Sequence, residues 1–194
     1  SKKNLQGVNL NGAYLYNANF EQADLQEANL MFSNLFNANL NGANLREADL
    51  RLSNLGDANL GDAHLEGANL SGANLKNAYM MTSHLNGAQL YKVDLRSAYL
   101  VGAHLEEANL QEANLQNAIL AGAWLEEANL QRANLAGTSL VMTILIGANL
   151  EGANFEGATY DSETEFPEEF NPQGRGMVRN FGKKRKKRKK RKRR

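Results

Sequence analysis

Residues 21–50 read EQADLQEANLMFSNLFNANLNGANLREADL. Leu stands at every multiple of five from Leu25 to Leu50, and a small residue precedes each by two places, as in Ala23, Ala28, Ser33 and Ala38. The pattern extends in both directions. Of the 31 multiples of five from Leu5 to Phe155, 28 are Leu, and the exceptions Phe20, Met80 and Phe155 are also large and apolar. The small position, from Val8 to Ala158, is Ala in 24 of 31 cases and otherwise Ser, Thr or Val.

A straight α-helix cannot use a period of five. Five residues turn it by roughly 500°, so successive leucines drift around the axis and form no stripe. A straight strand fails too, because residues five apart point to opposite faces. The period works if the chain bends once per unit. Each short side then points the small residue and the Leu inward, the residue between them outward, and the next two form a corner. Four such sides close a square coil of about 20 residues, and stacked coils bury a continuous column of Leu and Ala.

The units Ala28-Asn29-Leu30, Ala43-Asn44-Leu45 and Ala48-Asp49-Leu50 resemble those of the pentapeptide-repeat proteins, and the resemblance covers about residues 4–159. It implies an all-β fold, a right-handed quadrilateral parallel β-helix of about eight coils, ~38 Å long at ~4.8 Å per coil. The segment 160–172 (YDSETEFPEEFNP) is similar to the end of many cyanobacterial members.

The expected organisation is a repeat rod over residues 1–159, a closing segment over 160–182 and a polybasic tail over 183–194. Both prolines, Pro167 and Pro172, lie in the closing segment, and a helical turn is expected at 167–170 with Pro167 at its first position. The tail consists of Lys183, Lys184, Arg185, Lys186, Lys187, Arg188, Lys189, Lys190, Arg191, Lys192, Arg193 and Arg194. So dense a positive run self-repels and is expected to be disordered when free. It suits nucleic-acid phosphates, an anionic membrane surface or the rod's own acidic face. The formal charge of +1 therefore hides a split: residues 1–160 carry 16 acidic and 8 basic side chains, against twelve basic ones in the tail. There is no cysteine, which excludes disulfides and thiol chemistry. No apolar run approaches a membrane span or signal peptide, so the expected compartment is the cytoplasm.

Residues 20 apart stack on one face of such a coil. The outward residue before each Leu is Asn or Asp in 20 of 31 units, which predicts polar ladders. The exceptions gather. His64, His84, His104, Trp124 and Ile144 form one column, and Tyr79, Tyr99 and Ile119 form its neighbour. The corner between them carries Met81, Val101, Val141 and Met142, with Ile146 just past Ile144. This corner of the C-terminal half is the expected surface for a protein partner or a second copy, since contiguous apolar patches are uncommon on monomers. A second outward apolar group, Tyr14, Tyr16, Met31, Phe32, Phe36 and Leu52, lies nearer the N-terminus.

Stacked imidazoles converge poorly on a metal ion, so no metal or other cofactor is expected. The glutamate pairs Glu106–Glu107 and Glu126–Glu127 fall on convex corners, whereas a catalytic pair needs a concave, partly desolvated site. No enzyme activity and no small-molecule substrate are expected. The expected role is a non-enzymatic scaffold for protein–protein contact. The resemblance also implies an alternative, since some relatives are DNA mimics that bind type II topoisomerases. Against it, duplex of the rod's length carries ~22 phosphate charges, while residues 1–160 carry a net charge of −8.

Overall fold

A computed structural model describes residues 3–180. The polybasic tail, 183–194, lies outside them. Parallel bridges join residues 20 apart in an unbroken series, from Asn4–Asp24 to Ser139–Thr159. The chain is thus a coil with four sides per turn, each side contributing one bridged residue.

One unit shows why the coil is stable. The Leu40 N–H donates to Asn59 O in the next coil (2.7 Å), and the Asn39 N–H to Ala18 O in the previous one (2.9 Å). At the corner, the Gly42 N–H reaches Gly61 O (2.8 Å), and the Ala43 N–H closes a β-turn on Leu40 O (3.0 Å). The fifth donor, the Asn41 N–H, goes to the Asn39 side-chain Oδ1 (3.1 Å). Every N–H of the unit is satisfied without water, as buried or half-buried backbone requires. The second corner residue has a positive φ in all 31 units, the signature of a type II turn. Gly fills only 12 of those positions; the rest include Leu52, Thr82 and Met142, so ladder bonds hold ordinary residues in left-handed geometry.

The interior is an apolar column. From Ala23 to Leu145 the inward Leu, Ala, Met and Val side chains are almost wholly buried. Its buried hydroxyls are bonded: Ser33, Ser53 and Ser83 donate to the carbonyls of Leu30, Leu50 and Met80, and Thr138 and Thr143 to those of Leu115 and Leu120 one coil away. The N-terminal coil is different. Leu5, Val8, Leu10, Leu15 and Ala18 are only partly buried, because one side of this coil faces no neighbour among the described residues.

The other end is covered. Strand β1 (Thr159–Tyr160) pairs in parallel with β2 (Val178–Arg179). One extra residue enters after β1, so Ile144 bridges Glu165, 21 places on, and Glu165 acts as a further rung. Phe166 and Phe170 stack on each other (4.9 Å between centroids) and meet Tyr160 and Phe155 edge-on. The helical turn expected at 167–170 is absent: Phe170 N–H closes a β-turn on Pro167 O, with Glu169 at φ 67°. The helical segment is instead the short 3-10 helix Gln173–Arg175, with Pro172 at its N-cap and Gly176 ending it in left-handed geometry. Pro167 thus opens a turn whose corner residues are Glu168 and Glu169, and Pro172 starts the helix. Among the described residues, no helix is long and apolar enough to cross a membrane.

Candidate interaction surface

The outward Asn or Asp of the repeat has a definite task. In all 20 units that carry it, its Oδ1 accepts the N–H of the residue two places on, at 3.0–3.4 Å. This is an Asx turn, and it satisfies the one corner N–H that the coil-to-coil ladder leaves over. Many of these amides also bond along the column, as from Asn74 Nδ2 to Asn54 Oδ1 (2.9 Å).

Eleven units lack this Asn or Asp, and nine of those fall on two adjacent faces: His64, His84, His104, Trp124 and Ile144, and Tyr79, Tyr99, Ile119 and Ser139. In place of amide ladders these faces carry stacked rings. The His64, His84 and His104 rings stack at 4.8 and 5.0 Å and nearly parallel, and Trp124 continues the stack at 5.5 Å. Tyr79 and Tyr99 stack at 5.0 Å. Half or nearly half of each of Tyr79, Met81, Trp124 and Ile146 is open to solvent, and more of Met142. Val101, Ile119, Val141 and Ile144 are half-buried between them. The structure thus brings the expected surface residues together along one corner and the faces beside it. Below this patch, where Asn39 and Asn59 give way to Tyr79, an open groove of about 650 Å³ runs past Asn41, Gly61 and Met81.

The corner on the other side of the histidine column is acidic, with Glu27, Glu47, Glu66, Glu106, Glu107, Glu126 and Glu127. It holds one base, Arg46, whose guanidinium donates to Asn44 Oδ1 (3.1 Å) and Glu66 Oε1 (2.9 Å) and lies 3.0 Å from His64 Nδ1. Burial alone would raise the Glu66 pKa. Its own backbone N–H, His64 and the Arg46 charge outweigh that and hold it below the usual carboxylate range. The same His–Glu pairing recurs at His104 Nδ1 and Glu106 Oε1 (3.1 Å). His84, between two other imidazoles, has its pKa lowered by burial first and by the His64 charge second. Ligand atoms of His64, Glu66 and His84 lie within 4.8 Å of one another. A metal ion there would have to displace the Arg46 guanidinium, and the flat-stacked rings do not aim their lone pairs at a common point.

The two glutamate pairs, Glu106–Glu107 and Glu126–Glu127, stand on this outer corner. The second outward apolar group is exposed as well: Tyr14, Tyr16, Phe32 and Leu52 face solvent, and Tyr16 stacks on Phe36 at 5.8 Å.

A coil whose every face is flat and whose exceptions are ladders of like residues defines a solenoid scaffold. Eight copies of the pentapeptide-repeat family pattern match, spanning residues 4–42, 28–67, 48–87, 88–126 and 123–159, and the chain belongs to that family. Among solved structures it is similar to HetL, a pentapeptide-repeat protein involved in heterocyst differentiation regulation from the cyanobacterium Nostoc sp. strain PCC 7120. The two are 31% identical over 80% of this chain and 86% of that one, at a TM-score of 0.41. It is also similar to the pentapeptide-repeat protein Rfr23 of the cyanobacterium Cyanothece 51142, at 39% identity over 53% of this chain and 63% of that one, at a TM-score of 0.35. The plasmid-mediated fluoroquinolone resistance protein QnrB1 shares the fold at a TM-score of 0.69, with 16% identity and 92% of each chain covered. No curated protein sequence matches the chain.

Proposed function

We propose that this protein is a non-enzymatic cytoplasmic scaffold. Its rod is a right-handed coil of about eight turns, and it binds a protein partner or a second copy of itself through the corner bearing Tyr99, Val101, Ile119, Trp124, Val141 and Ile144. The basic tail adds contact with nucleic acid or an anionic membrane surface. One observation carries the reading: nine of the eleven units that give up the Asx cap lie on the two faces flanking this corner. Each lost cap costs about 0.5–1.5 kcal/mol, and three of the residues put in its place, Tyr79, Tyr99 and Trp124, are of types enriched in protein contacts. The test is the double substitution Trp124→Asp and Val141→Asp, followed by sedimentation and by capture of partners from native lysate. Weaker association is expected; an unchanged profile together with unchanged capture sinks the proposal.

The acidic corner favours a second reading, a DNA mimic acting on a DNA-binding enzyme such as a type II topoisomerase. Its seven glutamates follow one edge of the rod. A gyrase supercoiling assay decides it, and no inhibition at micromolar protein removes it.

A further inference from the structure

The internal contacts of Arg46 show how this coil binds a guanidinium. Arg46 extends from one coil to the next, where an aromatic ring (His64) and a carboxylate (Glu66) two places apart receive it. Three coils further on the same positions hold Trp124 and Glu126, and the residue in the place of Arg46 is Glu106. The glutamate is repeated and the cation is replaced by a second carboxylate, while the ring changes from an imidazole that meets Arg46 through Nδ1 to an indole, which has no acceptor nitrogen and offers its face instead.

The electrostatics are correspondingly incomplete. Glu66 and Glu126 each have an Oε2 that is shielded from water and lacks a hydrogen-bond partner among the described residues. On Glu66 the other oxygen is held by Arg46 at 2.9 Å. No salt bridge reaches Glu126 among the described residues. Below it, Glu106 is held by His104 at 3.1 Å and by Asn86 Nδ2 at 2.6 Å, neither of which is a permanent cation. A shielded carboxylate oxygen without a donor is costly. The second sign is independent of charge. Trp124 caps the imidazole stack two places before Glu126, with 43% of its surface open. An exposed indole on the face adjoining a corner that carries glutamates in successive coils suits a planar cation, which gains from the ring face and from hydrogen bonds to carboxylates together.

From this we infer that Trp124, Glu126 and Glu106 form a binding site for an arginine side chain, with the indole face in place of the ring-nitrogen contact that His64 makes to Arg46. The guanidinium lies over Trp124 and donates to Glu126 and Glu106. Lysine fits less well, because it presents a point charge with no flat face and no fork. As a statement about the partner, this rests on the proposed scaffold role, since Trp124 belongs to the same corner: the partner would place an arginine at its acidic edge. The arginine comes either from such a partner or from this chain's own tail, which contains five.

Trp124 is the chain's only tryptophan, so its fluorescence reports on this site alone. The full chain is titrated at low salt with N-acetylarginine amide and, separately, N-acetyllysine amide. The same titrations are run on Glu126→Gln, on Glu106→Gln, on the distant control Glu151→Gln, and on a chain whose five tail arginines are lysines. A saturable response to arginine, several-fold weaker for lysine, reduced about tenfold in affinity by Glu126→Gln or Glu106→Gln and unchanged in Glu151→Gln, establishes the site. A response that emerges only when the tail arginines are replaced also establishes it, with the tail as the source. No response in either chain, equal responses to arginine and lysine, or indifference to both glutamate substitutions overturns it. No protein partner enters the experiment, so its failure leaves the proposed corner interface standing, and failure of that interface leaves this result intact.

Discussion

Leu90→Ala and Leu10→Ala are the same substitution at equivalent positions of the repeat, and the structure separates their costs. Leu90 is wholly buried in the middle of the column, between coils on both sides. Removing it takes away the transfer free energy of the lost carbons and leaves a cavity that a rigid coil cannot close. That predicts about 3–4 kcal/mol, within the range for buried Leu→Ala changes. Leu10 lies in the first coil and is only partly buried. Less apolar area returns to water there and an open side leaves no closed cavity, so about 1 kcal/mol is expected.

In a solenoid each coil touches only its neighbours, so the damage is local. The readout is native-state hydrogen exchange at the amides around the site. For Leu90→Ala these are the Leu90 N–H on Asn109 O and the Leu70 N–H on Gln89 O. Local opening made easier by about 3 kcal/mol speeds their exchange roughly 100-fold, while amides several coils away keep their rates. Denaturant midpoints give the total. Equal costs at the two positions would refute the reasoning, because the first coil would then be covered in solution as fully as the middle. A cost below about 1 kcal/mol at Leu90 would refute it differently, by showing that the column repacks freely.

Two further predictions concern the outer surface. Asn114→Ala removes the Oδ1 that accepts the Gln116 N–H at 3.2 Å and should lower stability by about 1 kcal/mol, whereas Ser139→Asn supplies such an acceptor for the Val141 N–H and should raise it by a similar amount; paired denaturation curves check both signs. The His84 pKa is lowered in the fold, so above about pH 6.5, its unfolded value, both states are neutral and the full contribution is present. As pH falls below that, the unfolded chain takes up the proton first and stability drops until the folded pKa is passed, so His84→Asn should flatten the melting temperature between neutral pH and about pH 5, above the range of the carboxylates.

Inside and outside were legible from the period alone, because burial follows directly from which residues a square coil must turn inward. The His64–Trp124 column was legible too, since it needs only the 20-residue spacing. The purpose of the outward Asn was less so. Periodicity says that Asn39 faces solvent, but the N–H it serves, on Asn41, becomes needy only once the coil-to-coil ladder and the β-turn have used the other four donors of the unit. An Asx turn was available as a clue in every Asn-Leu-x step. The closing segment was misread for a related reason. The extra residue after Tyr160 shifts the frame, and a proline's preference for a first helical turn does not distinguish Pro167, which opens a β-turn, from Pro172, which starts the helix.

The cap also changes what the exceptions mean. A ring on the surface can be explained by folding alone, since stacked aromatic pairs return about 0.5–1.5 kcal/mol, comparable to the hydrogen bond given up. His64 through Trp124, and Tyr79 with Tyr99, are open to that explanation. Ile119, Ser139 and Ile144 are not. They supply neither a ring nor the amide, and the N–H groups two places on, in Val141 among them, have lost the acceptor that Asn or Asp provides at 20 other units. These three units lie at the C-terminal ends of the same two columns, beside Trp124, Val141 and Met142. Folding would favour Asn at all three. That the coil forgoes it there, along one corner and next to its only tryptophan, is the strongest physical reason to seek the binding function at that end of the rod.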